Sequence, residues 1–171
     1  LLALIKNDTN NVKAYLKLGQ VLREIGKPER ALKVHKSLLI RKDLTSYERI
    51  ELLKNISLDY RNLDKIDDAI QQSLDILKLD KYNEWALSEL VELYKLIDDW
   101  NSSKKYLQTY QKITGDLDSR VLGLYVAKQG QIELSKGDFI KARSLFEEAI
   151  NMSGELGICY KLMGDSYSNE S

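Results

Sequence analysis

The sequence predicts an all-α fold, a right-handed α-solenoid built from antiparallel helix pairs. Small residues recur along the chain with a basic period of about 34 residues, which is seen directly between Gly130 and Gly164. Between these small residues, apolar side chains stand three and four positions apart, the spacing of one face of a helix. Each period holds two such faces joined by a short polar turn. A helix pair repeated at a fixed period is the pattern of a solenoid.

The composition is that of an ordinary globular protein. Of the 171 residues, 43% are hydrophobic and 30% are charged, which excludes the disordered, collagen-like and disulfide-scaffold classes. A single cysteine, Cys159, cannot form an internal disulfide, and a single histidine, His35, cannot build a zinc site. We therefore expect packing alone to hold the fold.

Small residues also mark the second helix of each repeat, and they are Ala31, Ala69, Ser103 and Ala142. The first and third intervals between them exceed the basic period, which indicates short insertions of four and five residues there. The resulting repeats are residues 12–45, residues 46–83 with an extended first helix, residues 84–117 and residues 118–156. Residues 1–11 are predicted to end a preceding repeat, and residues 157–171 to begin a truncated one.

The small residues have a physical purpose, since they let the two helices of a pair approach closely. In the first helices they are Gly19, Ser57, Gly130 and Gly164. Larger side chains such as Tyr15, Leu53 and Tyr94 then fill the space around each contact. In the fourth repeat, Gln129 and Glu133 replace large apolar residues, so its first helix is the poorest match to the pattern.

The period and residue pattern resemble the tetratricopeptide repeat over nearly the whole chain. The first half is also similar to the lipopolysaccharide assembly protein B family. That similarity rests on five runs of sequence, which are Lys6 to Gly19, Gly26 to Leu39, Leu44 to Arg49, Leu58 to Tyr60 and Ile66 to Ala69. The chain departs from the usual repeat at its closing proline, because Asp43, Lys81 and Gly115 stand there.

The resemblance implies a modular, non-catalytic regulator. In that family, a membrane anchor precedes a cytoplasmic helical-repeat array, and a rubredoxin-like metal-binding module with paired Cys-x-x-Cys knuckles follows it. The array brings the deacetylase that commits carbon to lipopolysaccharide to the membrane protease that degrades it. For this segment the resemblance implies no cofactor of its own, and a cytoplasmic location tethered to the inner membrane through the full-length protein.

The residues themselves offer no catalytic constellation, so we expect this segment not to be an enzyme. His35 falls in a second helix, where a packing role is expected, and Cys159 has no second histidine to activate it. The sequence contains no P-loop, no G-x-G-x-x-G, no H-E-x-x-H and no EF-hand loop. Carboxylate pairs such as Asp67-Asp68, Asp98-Asp99 and Glu147-Glu148 are expected in interhelix turns or on exposed helix faces, where solvation, helix capping and the helix dipole explain them.

A repeat array instead offers a curved surface lined by its first helices. The predicted concave, partner-binding face consists of Lys13, Leu16, Gln20, Arg23, Lys54, Leu58, Arg61, Trp85, Ser88, Glu92 and Lys95. Its cationic members are expected to donate hydrogen bonds to partner carboxylates, and its apolar members to supply contact area. Leu16 and Leu58 occupy the positions of the carboxylate clamp of chaperone-tail binders, which argues against simple recognition of a C-terminal carboxylate.

Charge and hydropathy narrow the classes of partner. Lys plus Arg and Asp plus Glu both number 26, which gives nucleic-acid binding no support. The longest apolar run, Leu1 to Ile5, is too short to enter a membrane as a span. The partners expected are therefore other proteins or peptides.

The charge is unevenly distributed along the chain. Residues 1–50 carry 11 basic and 5 acidic side chains, and the rest of the chain carries the opposite excess. This asymmetry leaves open a structural role in which the array associates with itself as a homo-oligomer. A generic peptide-binding array unrelated to lipopolysaccharide is the other alternative.

Overall fold

The computed structural model describes residues 11–154 and 157–170, and within them all regular secondary structure is helical. The helices are α1 (Val12–Glu24), α2 (Pro28–Lys36), α3 (Ser46–Asn62), α4 (Ile66–Leu79), α5 (Glu84–Leu96), α6 (Trp100–Thr114), α7 (Ser119–Ser135), α8 (Phe139–Ser153) and α9 (Gly157–Glu170). The all-α class is confirmed. Apart from Asn11, the predicted end of a preceding repeat at residues 1–11 lies outside the described residues.

The chain divides into two compact units, residues 1–93 and residues 94–171. The boundary falls within the last turn or so of α5. The pairs α1/α2 and α3/α4 belong to the first unit, and the pair α7/α8 belongs to the second.

The turn inside each helix pair has one residue in the left-handed region. These residues are Gly26, Asp64, Asp98 and Gly137, with φ between 57° and 81°. In every turn the next amide N–H donates to the carbonyl five residues earlier, at 2.9 to 3.0 Å, and closes the end of the first helix. Glycine and aspartate are among the few residues that adopt this conformation at small cost, which explains their recurrence at the repeat period.

The first insertion lengthens a helix instead of a loop. α3 has 17 residues, whereas α1 has 13, and the added turn lies at its N-terminus. Thr45 and Glu48 form a reciprocal capping box that begins this turn. The hydrogen bonds from the Thr45 backbone N–H and hydroxyl hold the pKa of Glu48 below its ordinary value.

The fourth repeat forms its first helix in spite of its polar substitutions. α7 runs unbroken past Gln129, which is buried, and Glu133, which accepts a hydrogen bond from Lys136 at 3.2 Å and lies 3.3 Å from Lys141. Hydrogen bonding to these two lysines lowers the pKa of Glu133. The departure from the pattern is therefore accommodated by a local cluster of charges.

Close helix contact depends on size matching between the first and second helix of a pair. A Cβ atom on Gly19 would lie 2.2 Å from His35 Nε2, and one on Gly130 would lie 2.5 Å from Phe146 Cε1. In the second repeat two small residues meet instead, and the hydroxyls of Ser57 and Ser73 lie 3.0 Å apart. The glycine makes room for a ring, whereas paired serines fill the same space with a hydrogen bond.

The second-helix small residues are confirmed as core residues, because Ala31, Ala69, Ser103 and Ala142 are all fully buried. Larger apolar side chains surround them. In the first unit Leu53, Ile76 and Ala86 form one cluster, and in the second unit a cluster centres on Val126, Phe146 and Cys159.

Replacing Gly130 by alanine should destabilise the protein by about 1 to 3 kcal/mol, because the added methyl group collides with the fully buried Phe146 ring. Gly164 provides the matched control. It lies inside α9 at the equivalent repeat position, and a Cβ there meets nothing within 4 Å. Gly164→Ala should therefore stabilise by up to about 1 kcal/mol through helix propensity alone. Urea unfolding followed by circular dichroism measures both changes.

Equal effects of the two substitutions, whichever their sign, would show that close packing against Phe146 does not determine the role of Gly130.

Candidate functional site

The first unit has a groove between α1 and α3, the first helices of the first two repeats. The groove has a volume of about 260 Å³, and it is lined by Lys13, Leu16, Lys17, Gln20, Tyr47, Glu48, Glu51 and Asn55. We call it the first groove. Three predicted surface residues, Lys13, Leu16 and Gln20, meet there.

The walls of the first groove carry charges of both signs. α1 supplies Lys13 and Lys17, and α3 supplies Glu48 and Glu51. The additional turn of α3 contributes Glu48 together with Tyr47, whose side chain is largely exposed at the rim. The insertion in the second repeat therefore extends one wall of the groove, and the groove as a whole has no strong preference for ligand charge.

Beneath the groove lies a buried carboxylate that sequence reasoning missed. Asp59 is fully buried on α3, and its Oδ1 accepts a hydrogen bond from Arg23 Nη1 at 2.7 Å. Its Oδ2 is hydrogen-bonded to Nδ1 of His35, which reaches it from α2. Arg23 also donates to the Asn55 carbonyl and side-chain oxygens at 3.2 Å. One carboxylate thus joins three helices of two successive repeats.

His35 is buried as predicted, and both of its ring nitrogens also have hydrogen-bond partners. Its Nε2 lies 3.2 Å from the Leu16 carbonyl oxygen, which can only accept a hydrogen bond. Its Nδ1 faces a carboxylate. Asp59 and its partners Arg23 and His35 thus satisfy one another by hydrogen bonds in a place where an unpaired polar group would be costly.

A second arginine repeats this arrangement one repeat later. Arg61 follows Arg23 by the same interval that separates Ala31 from Ala69, so the two arginines are equivalent in the repeat. The Nη1 of Arg61 donates to both carboxylate oxygens of Glu89 on α5 at 3.0 and 3.1 Å. The Glu89 side chain is only 8% exposed. Both arginines therefore bind carboxylates of the next repeat's first helix. Their predicted contact with a partner stays a prediction, and their charges are already matched within the protein.

The remaining predicted residues of the first unit lie on α3 and α5. Lys54 lies over the Trp85 ring at 5.3 Å from its centroid, and the ring also packs against the Leu53 cluster. Leu58 and Glu92 are half-buried, whereas Ser88 is exposed. Part of the Trp85 ring thus belongs to the core, while another part faces a lysine.

The second unit has a groove of its own, which we call the second groove. It has a volume of about 380 Å³, and it is lined by Lys95, Trp100, Leu124, Tyr125, Ala127, Lys128, Gln131 and Ile158. Of the predicted surface, only Lys95 belongs to this set. The Trp100 and Tyr125 rings meet edge to face with centroids 5.4 Å apart.

Sequence reasoning missed the rest of the second groove, although a signal was present. Leu124, Ala127 and Gln131 are the fourth-repeat equivalents of Trp85, Ser88 and Glu92, because the interval between the two sets is the one that separates Ser103 from Ala142. Ile158 follows Leu124 by one further basic period. Continuing the predicted face into the fourth repeat would have found these residues.

Cys159 is buried, and burial raises the pKa of its thiol. The thiol therefore stays protonated at neutral pH and is a poor nucleophile. Among the residues that the structure describes, no three His, Cys, Asp or Glu side chains come together in a way that could hold a metal ion. No described helix combines the length and the apolar character needed to cross a membrane.

Two solved structures share the fold of this chain. A tetratricopeptide-repeat protein from Parabacteroides merdae aligns with a TM-score of 0.60 and 18% identity, over 96% of this chain and 62% of that one. The MamA protein aligns with a TM-score of 0.57 and 20% identity, over 95% of this chain and 84% of that one. With its helix pairs and first-helix grooves, this chain has the tetratricopeptide-repeat fold, as predicted.

Two curated proteins are similar to this chain in sequence. Lipopolysaccharide assembly protein B of Escherichia coli K12 is 22% identical over 147 residues, which are 86% of this chain and 38% of that protein. Its counterpart in Haemophilus influenzae is 24% identical over 142 residues, 82% of this chain and 35% of that protein. No family model matches the chain. The chain thus has the tetratricopeptide-repeat fold and resembles lipopolysaccharide assembly protein B, and it spans little more than a third of the length of these relatives.

Substituting Asp59 by asparagine should destabilise the first unit by about 3 kcal/mol, because Arg23 and His35 then face each other without the carboxylate between them. The matched control is Asp75→Asn, which removes a partly exposed carboxylate paired with Lys78 on α4. That change should cost less than about 1 kcal/mol. Urea unfolding of both variants measures the difference. A loss for Asp59→Asn no larger than that of the control would disprove the structural role of the network.

Proposed function

We propose that this chain is a non-catalytic adaptor whose first-helix grooves bind segments of other proteins. The observation that carries the proposal is that equivalent repeat positions line an open groove in each unit. Leu16 and Gln20 line the first groove, and their equivalents Ala127 and Gln131 line the second. Open grooves on a repeat scaffold are suited to binding an extended or helical segment.

The finer part of the proposal is regulation of lipopolysaccharide synthesis through proteolysis. It rests on the resemblance to lipopolysaccharide assembly protein B, which aligns with 86% of this chain. In that role, the segment would hold the deacetylase of lipopolysaccharide synthesis for a membrane protease. The adaptor does no chemistry on its cargo, and its own contribution is binding.

Five of the predicted surface residues have one of two roles under this proposal. Lys13, Leu16 and Gln20 line the first groove and are assigned direct contact with a partner. Arg23 and Arg61 are held by buried carboxylates, so their contribution is to fix successive first helices beside one another.

Leu16→Asp should weaken binding of the purified deacetylase by about tenfold, since a carboxylate replaces an apolar contact in the first groove. The matched control is Ile140→Asp, which introduces the same charge at a largely exposed position on α8. Isothermal titration calorimetry measures both affinities. Circular dichroism confirms that each variant keeps its helices.

Absence of binding by the unmodified chain would reject the lipopolysaccharide role and leave a generic peptide-binding array. Equal affinities of the Leu16→Asp and Ile140→Asp variants would show that the deacetylase does not contact the first groove. The lipopolysaccharide role would still stand.

Self-association is the second candidate, and the charge asymmetry favours it. Residues 1–50 carry 11 basic and 5 acidic side chains, so oppositely charged parts of two copies attract one another. Sedimentation velocity at rising protein concentration tests it, because a dimer held by this attraction dissociates as salt is added. A monomer at every concentration would reject this candidate.

A further inference from the structure

We propose that the second groove binds a short acidic protein segment through an apolar anchor residue. This proposal rests on the adaptor function above and names the chemistry that one of its grooves recognises. The groove lies wholly within the second unit, and it has a volume of about 380 Å³. That volume is at the lower end of the range for small-ligand sites, so it suits one or two side chains.

The floor and walls of the groove are apolar and partly fixed in place. Leu124 and Ile158 are each about half exposed, at 47% and 46%, and they bring aliphatic surface from α7 and α9 to the same groove. Trp100 packs edge to face on Tyr125, and its indole N–H donates to the Asp98 carboxylate at 3.3 Å. Rings held in this way lose little freedom when a ligand side chain packs against them.

The positive charge of the second groove favours an acidic ligand. Lys95 and Lys128 are the ionisable lining residues other than Tyr125, and the described lining includes no carboxylate. Lys128 is exposed on α7, where its ammonium can reach a ligand at the rim. An apolar segment flanked by aspartate or glutamate is complementary to this arrangement, whereas a basic segment is repelled. The first groove, with two lysines and two glutamates, makes no such selection.

The probe for this site is a short fluorescein-labelled peptide that alternates leucine or phenylalanine with glutamate. Two control peptides carry lysine in place of glutamate or alanine in place of the apolar residues. Fluorescence anisotropy gives the affinities. The chain has two tryptophans, so a Trp85→Phe background leaves Trp100 as an intrinsic reporter whose emission should shift when the groove is occupied.

Lys128→Glu should weaken binding of the acidic peptide by about tenfold, because attraction becomes repulsion of similar size. Leu124→Ala should weaken it by about fivefold through lost apolar contact. Lys112→Glu is the matched control, since it reverses an exposed lysine on α6 outside the groove, and it should leave the affinity unchanged. Both groove residues are exposed, so the variants are expected to fold, which circular dichroism checks.

Three results would overturn the proposal. They are no binding of the acidic peptide at millimolar concentration, equal binding of the basic peptide, or equal losses for Lys128→Glu and Lys112→Glu. Measuring deacetylase binding as well separates a failure of the second-groove proposal from a failure of the adaptor role. Deacetylase binding together with any of these three results rejects the second groove and keeps the adaptor, whereas peptide binding without deacetylase binding rejects only the lipopolysaccharide role.

Discussion

The close approach of the two helices within each repeat is the constraint on which the rest of this structure depends. At two of these contacts a glycine of the first helix faces a ring of the second helix, as Gly19 faces His35 and Gly130 faces Phe146. Where the first helix carries serine, a second serine meets it. Size matching of this kind fixes the separation of the helices, and that separation decides which side chains of the first helices remain accessible to a partner.

His35 links this packing to the electrostatics of the first unit. Because Gly19 leaves room for an imidazole instead of a phenyl ring, a polar group lies in the core and needs partners there. Asp59 from the next repeat satisfies it, and Arg23 satisfies the remaining oxygen of Asp59. The arginine that a partner could have used is therefore bound inside the unit.

The residue pattern was sufficient to predict the helix pairs, the turn residues and the small core positions, because each depends on local spacing. The candidate site was predicted less completely. Lys13, Leu16 and Gln20 meet in one groove as the register indicates. The second groove was missed because its apolar residues belong to the fourth repeat, where Gln129 and Glu133 obscure the pattern. Neither the burial of Asp59 nor the pairing of Glu89 has a local signature.

The sequence by itself determined the all-α class, the repeat period and the likeness to lipopolysaccharide assembly protein B, since these follow from periodic spacing and residue identity along the chain. Only the tertiary structure decided which charges are matched and which line a groove. Arg23 and Lys13 look alike in sequence, yet one meets a buried carboxylate and the other lines an open groove. Their difference arises from contacts between residues of successive repeats, such as Arg23 with Asp59, which helical periodicity along one segment does not encode.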